Sequence, residues 1–531
     1  MGKYDEFIKE QLKAKWPLLG NELSSALIEK YGIEPDNARK IIQRATQKGI
    51  MVSSTPLTFG KGQFLYLKPG LYFGLEIVKD AAEFSRNPLY RLLEVLDKYK
   101  IISFYEGLKI TASPDEKGSS KISLLIDMVN HLEKLGIVFT QTDSRGNNYI
   151  SVRDAIPSIL RLEFSNESVM EAHYQAMKLD AIFVPDILRW MKRINLIDLG
   201  ASYRSVASPA IGVKHNDIMW DAYAYTKTTG INPSRASQAD EKEKQTLVVL
   251  DVMVSRKYLQ ADLDGFLARV QINLNSVQNG ERKALPIVVF NEIDELTLNR
   301  LKMLGFLAFD LKTIFGKNIG EMILNFRKIF SGFSGQAEEA IEPALKIIDE
   351  SGLTDQLRAL RGALFEALMY PVIKKLYPDS QVLQGKRLTN TDKTKTREFD
   401  IILIASHPNE ILLVELKGYT GKSYIPLGSQ DEKDSLRYFF RGSVPIAQDF
   451  YKANPALEEH RVTAAYITTG NFHSDTSNFV SKVKNSGLKP SQFDMFFNGV
   501  ALVQFLTEKG FNHEAGIIKK YYPQPSENDY D

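Results

Sequence analysis

The stretch Glu410–Tyr419, EILLVELKGY, sets four consecutive apolar residues, Ile411 to Val414, ahead of a carboxylate at Glu415 and an ammonium at Lys417. An apolar run of this length belongs inside a sheet, where ionised groups are costly unless they are paired or bind a metal. The run therefore ends either at the surface or in a site. Upstream, REFDIILIA (Arg397 to Ala405) reads as a second strand, and a turn at Pro408 and Asn409 makes the two strands neighbours.

Working outward, TDQLRALRGALFEALMYPVIKKLYP is a long helical pattern, starting near Thr354 and ended at Pro378. DSLRYFFRGSVPIAQDFYKA is helical in part, RVTAAYITTG is a third strand, and SNFVSKVKNSG and NGVALVQFLTEKG are further helices. The order predicts a mixed sheet with helices on its faces. Side chains alternate along a strand, so Glu415 and Lys417 share a face with Leu413, and Asp400 shares one with Glu398. If the strands pair with these ends together, Asp400, Glu415 and Lys417 converge. Two neighbouring carboxylates repel unless a cation sits between them. The alternative is an exposed Glu415–Lys417 pair worth under about 1 kcal/mol, with Asp400 an unrelated strand end. The apolar flanks speak against such an edge strand.

Composition narrows the chemistry. The chain has 531 residues, 44% hydrophobic and 25% charged, which is ordinary globular material for about three to four domains. It has no cysteine, which excludes disulfides, thiolate zinc sites and cysteine nucleophiles. Its seven histidines are isolated from one another in sequence. Oxygen ligands and a hard cation, Mg²⁺ or Mn²⁺, are the expected metal chemistry. No stretch has the apolar length of a membrane span, and the start MGKYDEFIKEQLKAKW lacks the apolar centre of a secretory signal, so no membrane partner and a cytoplasmic location are expected.

Phe399 and Asp400, then Glu415-Leu416-Lys417 on the following strand, behind a helix containing GALFEAL, resemble the PD-(D/E)XK nuclease superfamily, the restriction-endonuclease-like fold. The resemblance covers the last third of the chain. It implies Asp400 and Glu415 as metal ligands with the backbone carbonyl of Leu416, Lys417 as the catalytic lysine, and Glu366 as the acid of the first helix. Phe399 stands where many members carry proline. For Glu366 an ordinary helix-forming role is the competing reading.

Five basic residues against Asp392 alone mark the loop Gly385 to Arg397, and Lys393, Lys395 and Arg397 are candidates for the substrate backbone. Arg437 and Arg441, four apart on the next helix, are candidates too; solvated surfaces explain both groups equally well. GYTGKS, Gly418 to Ser423, is similar to a phosphate-binding loop but has Leu416 where that loop needs its first glycine, so no ATP use is expected.

At the other end, two helical patterns followed by two short strands around Gly60 to Gly62 resemble a winged helix. In PDNARKIIQRATQKG, Pro35 opens a helix and Gly49 closes it. Ala38, Ile41, Ile42 and Ala45 fall on one face; Asn37, Arg39, Lys40, Gln43, Arg44, Gln47 and Lys48 fall on the other. From Arg39 to Lys68, with Lys61 between the strands, there are six Lys or Arg and no acid, the footprint of a surface laid on phosphates. A solvated helix in a module for protein contacts is the alternative. A similar pattern from NPLYRLLEVLDKYK to TQTDSRGNNYISV carries Asp127 and Glu133 against Lys121 and Lys134, which fits a structural or dimerising role better than DNA.

Between Ser165 and Leu345 the strand and helix order repeats in outline. Asp221 would take the first acid's place and Asp251 the second's, but Met253 stands where the lysine should be, and methionine carries no charge. A nuclease-like copy that lost its chemistry is one reading; any small α/β domain is the other.

The expected architecture is thus multidomain α/β: a winged helix over 1–70, a second over 71–160, an α/β domain over 161–345, a PD-(D/E)XK domain over 346–523 and a disordered tail over 524–531. The expected function is metal-dependent DNA cleavage in prokaryotic restriction or defence, by a homodimer or a component of a larger defence complex. The alternatives are a non-catalytic DNA-binding regulator and a relative that cuts RNA or branched DNA.

Overall fold

The computed structural model describes residues 2–116, 124–143, 145–153, 166–198, 200–227, 246–275, 283–330, 334–352, 357–419 and 423–522. The tail, Lys121, Thr354 and Thr420 to Lys422 of GYTGKS lie outside them. The chain is a multidomain α/β protein whose contacts group it into two units. Residues 1–177, 197–204 and 210–309 form the first; 178–196, 205–209 and 310–531 form the second.

The first unit begins with α1 (Lys3–Ala14), β1 (Leu18–Leu19), α2 (Gly20–Tyr31), α3 (Pro35–Gln47), β2 (Val52–Ser53) and β3 (Leu65–Leu67), the strands lying in the order β1-β3-β2. Pro35 stands in the first turn of α3, where a missing N–H is harmless. Ala38, Ile41, Ile42 and Ala45 are buried as the periodicity requires, and the seven polar residues opposite are exposed.

After α4 (Leu75–Glu83) the pattern recurs: α5 (Asn87–Tyr99), β4 (Ile101–Ser103), α6 (Phe104–Thr111), α7 (Leu125–Lys134), β5 (Val138–Thr142) and β6 (Asn148–Val152), with strand order β4-β6-β5. Ser103 and Glu106 form a capping box that starts α6: Glu106 N–H donates to Ser103 Oγ at 3.2 Å, and Ser103 N–H to Glu106 Oε2 at 2.8 Å.

Two helices follow, α8 (Asn166–Ile182) and α9 (Val184–Arg193), then β7 (Ser202–Tyr203), β8 (Val213–His215), β9 (Ile218–Trp220), β10 (Ala222–Thr226), β11 (Thr246–Met253), α10 (Gln260–Asn275), β12 (Ala284–Phe290), α11 (Glu295–Met303) and β13 (Leu307–Asp310). The first unit's main sheet has the order β13-β12-β11-β10-β7. β11 is buried along its whole length, as a central strand covered on both faces must be. Leu259 and Ala261, at the start of α10, pack into the core under α5 and α7, so the described residues of 71–153 share apolar interior with that helix.

The second unit continues through α12 (Leu311–Phe315), α13 (Ile319–Phe330), α14 (Ser334–Glu350) and α15 (Arg358–Leu376) to its own sheet. That sheet contains β14 (Ser380–Thr389), β15 (Thr396–Ser406) and β16 (Asn409–Lys417). After the short β17 (Tyr424–Ile425), a π-helical turn (Tyr438–Ser443) runs into α16 (Val444–Lys452). Then come β18 (Arg461–Thr468), β19 (Asn471–Phe472), α17 (Ser477–Lys484), β20 (Phe496–Phe497), α18 (Gly499–Glu508) and α19 (Asn512–Tyr521). The sheet order is β14-β15-β16-β18-β20; β15 is antiparallel to its neighbours and β16 is parallel to β18.

One segment differs from its reading. Gly385 to Arg397 is not a loop throughout: β14 and β15 extend into it as a long hairpin, and only residues 390–395 form the turn. Its lysines and threonines hide the strand because this hairpin lies at the sheet's edge, where one row of side chains meets water. Among the described residues no helix is long and apolar enough to cross a membrane.

Candidate active site

β15 and β16 pair from Ser406 with Asn409 up to Ile401 with Val414. One step beyond stand Asp400 and Glu415, so the register brings both acids to the same end of the strand pair. Lys417 follows two residues later on the same face as Glu415. Its Nζ lies 2.8 Å from Glu415 Oε1, and Asp400 Oδ2 accepts the Leu416 N–H at 2.7 Å.

A glycine brings in the helix. At Gly418 a Cβ would stand 2.4 Å from Cβ of Phe365, so only glycine lets α15 approach the end of β16 this closely. Glu366, the next residue on α15, is thereby carried within range of the Asp400 and Glu415 charges. Its side chain reaches water, unlike that of Glu415, which is 8% exposed.

The electrostatics follow from too much carboxyl and too little cation. Burial and the Asp400 charge push the Glu415 carboxyl up to about 8, against the pull of Lys417. Asp400 is raised by burial, with Lys417 and the Leu416 N–H opposing. Glu366 is pushed the same way by its protein surroundings and by Asp400; Lys178 of α8 works against that, and contact with water weakens it. Burial disfavours the charge on Lys417, yet Glu415 and Asp400 outweigh it and hold the ammonium well above the usual lysine range. The ammonium is therefore a donor and a positive charge at neutral pH, not a base.

Sequence reasoning missed two members of this cluster. Asp434, on the turn before the π-helical segment, pairs with Lys417 at 3.1 Å. Nothing in DSLRYFF announces it, because the contact is made by a loop. Tyr466 of β18 is the register partner of Glu415, is fully buried, and its hydroxyl has no hydrogen-bond partner among the described residues. Its place in RVTAAYITTG, a polar atom within an apolar strand, was the available signal. Glu398, on the face of Asp400, is raised by burial and by Asp400 and accepts from Ser205 Oγ at 3.2 Å. By contrast Glu410, at the other end of β16, is a structural acid: Thr463 Oγ1 at 2.6 Å, Ser491 N–H at 3.1 Å and Tyr377 Oη at 3.3 Å all donate to it.

The other candidates are distributed more widely. Lys393 and Lys395 are exposed on the hairpin turn, and Arg437 and Arg441 are exposed around the π-helical turn. Arg397 instead lies over the Tyr438 ring, 4.8 Å from its centroid. On the first unit, Asn37, Lys40, Gln43, Arg44 and Gln47 of α3 are open, as is Lys61. Arg39 pairs with Asp36 at 3.3 Å, and Lys48 with Asp5 at 3.0 Å, so these two are partly spent within the fold.

The donor set around Asp400 and Glu415 suits a hard divalent cation, being all oxygen with carboxyls driven toward protonation for want of positive charge. Among the described residues, no three His, Cys, Asp or Glu side chains are arranged as a ready cage, so Asp400 and Glu415 would need the Leu416 carbonyl and water to complete a coordination shell. Comparison with protein-family models, curated proteins and solved structures found no match to this chain.

Proposed function

We propose that the chain is a divalent-cation-dependent endonuclease that hydrolyses DNA phosphodiester bonds. The observation that carries this reading is the convergence of Asp400, Glu415 and Lys417 at one end of two paired central strands, with α15 pressing Glu366 toward them. That arrangement of residues is the one the PD-(D/E)XK resemblance leads one to expect.

Asp400, Glu415 and the Leu416 carbonyl would hold Mg²⁺ or Mn²⁺, which when bound supplies a Lewis acid for the phosphoryl oxygens and an activated water. Lys417, protonated, leaves Glu415 and donates to the attacking water or to charge developing on the phosphate. Glu366, open to water, orders solvent at the entrance. Tyr466 offers one more donor from the strand behind Glu415.

The reading of the first module rests on element order and charge. The succession α1-β1-α2-α3-β2-β3 with sheet order β1-β3-β2 supports reading it as a winged helix, and α3 faces water with Lys40 and Arg44. Such a module would anchor DNA through phosphates. With one such site among the described residues of each chain, a homodimer is the simplest way to break both strands.

Supercoiled plasmid, single-stranded RNA and branched DNA incubated with the protein in Mg²⁺ or EDTA test this. Nicking or linearisation of DNA in Mg²⁺, absent in EDTA and in Lys417→Ala, is the expected result. Unchanged cutting by Lys417→Ala would end the assignment. Cutting of RNA alone would move the substrate class.

A further inference from the structure

The first unit holds a second carboxylate pair, laid out on the same backbone plan. β10 and β11 pair antiparallel up to Ala222 with Leu250, and one step beyond stand Asp221 and Asp251. β11 is parallel to β12, as β16 is to β18. The Val252 N–H donates to Asp221 Oδ2 at 2.8 Å, the counterpart of Leu416 and Asp400. What differs is the space between the acids. Lys109 Nζ lies 2.6 Å from Asp221 Oδ2 and 2.6 Å from Asp251 Oδ1, so its ammonium bridges the pair.

The bridge is built in from several sides. Lys109 is in the last turn of α6, whose final carbonyls, Ile110 and Thr111, accept from Arg91 at 2.7 and 2.9 Å. α10 comes so close that a Cβ on Gly265 would stand 2.9 Å from the Lys109 carbonyl oxygen and 2.7 Å from that of Ile110. The outer carboxylate oxygens are satisfied separately. Asp221 Oδ1 takes Tyr105 Oη at 2.5 Å and Arg204 Nε at 3.0 Å; Asp251 Oδ2 takes an Arg269 guanidinium nitrogen at 3.1 Å and Tyr258 Oη at 3.2 Å. The inner oxygens face Lys109, which shares Asp221 Oδ2 with the Val252 N–H. Asp221, Asp251 and Lys109 are all buried, at 0, 2 and 6% exposure.

We infer that Asp221 and Asp251 form a divalent-cation site sealed from within, with the Lys109 ammonium standing where the ion would bind. Asp and Asp alone are a hard-oxygen pair of the kind that takes Mg²⁺ or Mn²⁺, and one tethered cation makes the bound ion unnecessary. The first unit then holds this acid pair as a metal-free structural joint. Met253, in the register place of Lys417, fits this: with Lys109 bridging the acids, a second ammonium there would be surplus. The inference rests on the first unit's geometry and stands whether or not the second unit cuts DNA.

The test uses the full chain carrying Asp400→Asn and Glu415→Gln, so that the second unit takes up no ion. Mn²⁺ uptake is followed by the loss of the free-ion paramagnetic signal. This parent is expected to take up none. Adding Lys109→Ala opens the inner oxygens and is expected to give uptake of one Mn²⁺ per chain with a rise in melting temperature; a third change, Asp251→Asn, abolishes both. Arg204 and Arg269 remain, so the new site binds less tightly than an acid pair without them. If Lys109→Ala is not recovered folded, refolding from denaturant in Mn²⁺ against EDTA replaces the uptake, and folding only in Mn²⁺ is the supporting result. No uptake by a folded Lys109→Ala chain, uptake that survives Asp251→Asn, or failure to refold in either solution overturns the inference.

Discussion

The two main sheets present two acids at the same register, and they are opposites in what surrounds them. In the first unit Asp221 is held below the ordinary carboxylate range: burial would raise it, but Arg204 and Lys109 more than compensate. In the second, the Glu415 carboxyl rises to about 8 because burial and Asp400 outweigh Lys417. A buried acid surrounded by fixed cations and hydroxyls is a finished structural joint. A buried acid short of positive charge has an electrostatic reason to take up a cation, and on the proposed function that difference separates structure from chemistry on otherwise similar strands.

The largest expected effect follows from removing one acid in each sheet. Asp221→Ala takes one of its two carboxylate partners from the buried Lys109 and an ion-pair partner from the buried Arg204, and should cost about 3–5 kcal/mol of stability, seen as a lower denaturant midpoint. Asp400→Ala relieves repulsion and should cost far less. Equal losses in the two variants would erase the contrast.

Next in size is activity. Glu415→Gln should lower DNA cutting about 100-fold or more at saturating Mg²⁺ while leaving the fold intact by circular dichroism, because a cation ligand is removed and packing is kept. Activity within a few-fold of the parent would remove Glu415 from the chemistry.

The pH dependence has a definite sign. Glu415 binds its proton more tightly folded than unfolded, with a folded value of about 8 against an ordinary 4.5. Its contribution to stability is therefore full below about pH 4.5 and is lost as pH rises to about 8. Cation-free protein should lose stability across that window, Mg²⁺ should restore it at the alkaline end, and Glu415→Gln should flatten the slope. A slope of the same size in that variant would locate its origin elsewhere.

The smallest effect concerns α3. Arg44→Ala should weaken DNA binding evenly across sequences and reduce the salt slope, log K against log salt, by about 0.9 for each phosphate it no longer neutralises. An unchanged slope would return α3 to the role of a solvated face.

Much of this is legible in the chain. The apolar run before Glu415 and the alternation in REFDIILIA place their strands and acids, because burial on both faces leaves an unmistakable pattern. α3 is legible by periodicity, from Pro35 to its buried face. Asp221 and Asp251 stand out as acids within apolar strands, and the missing lysine is visible at Met253. What occupies the space between the two acids is not. α6 is eight residues long, with Gly107 at its centre and β-branched Ile110 and Thr111 at its end, so beyond the Ser103–Glu106 capping box little local marks it as a helix. Its Lys109 lies 112 positions from Asp221, and only tertiary packing brings them together. Asp434 and Ser205 escape for the same reason, and the β14–β15 hairpin looks like a loop in sequence because its edge carries polar residues.

Crystals soaked in Mn²⁺, with anomalous diffraction collected at the manganese edge, test the central claim most directly. The account predicts a peak between Asp400 and Glu415 and none between Asp221 and Asp251, where Lys109 remains. Density between Asp221 and Asp251, or none between Asp400 and Glu415 at full occupancy of other sites, would contradict it.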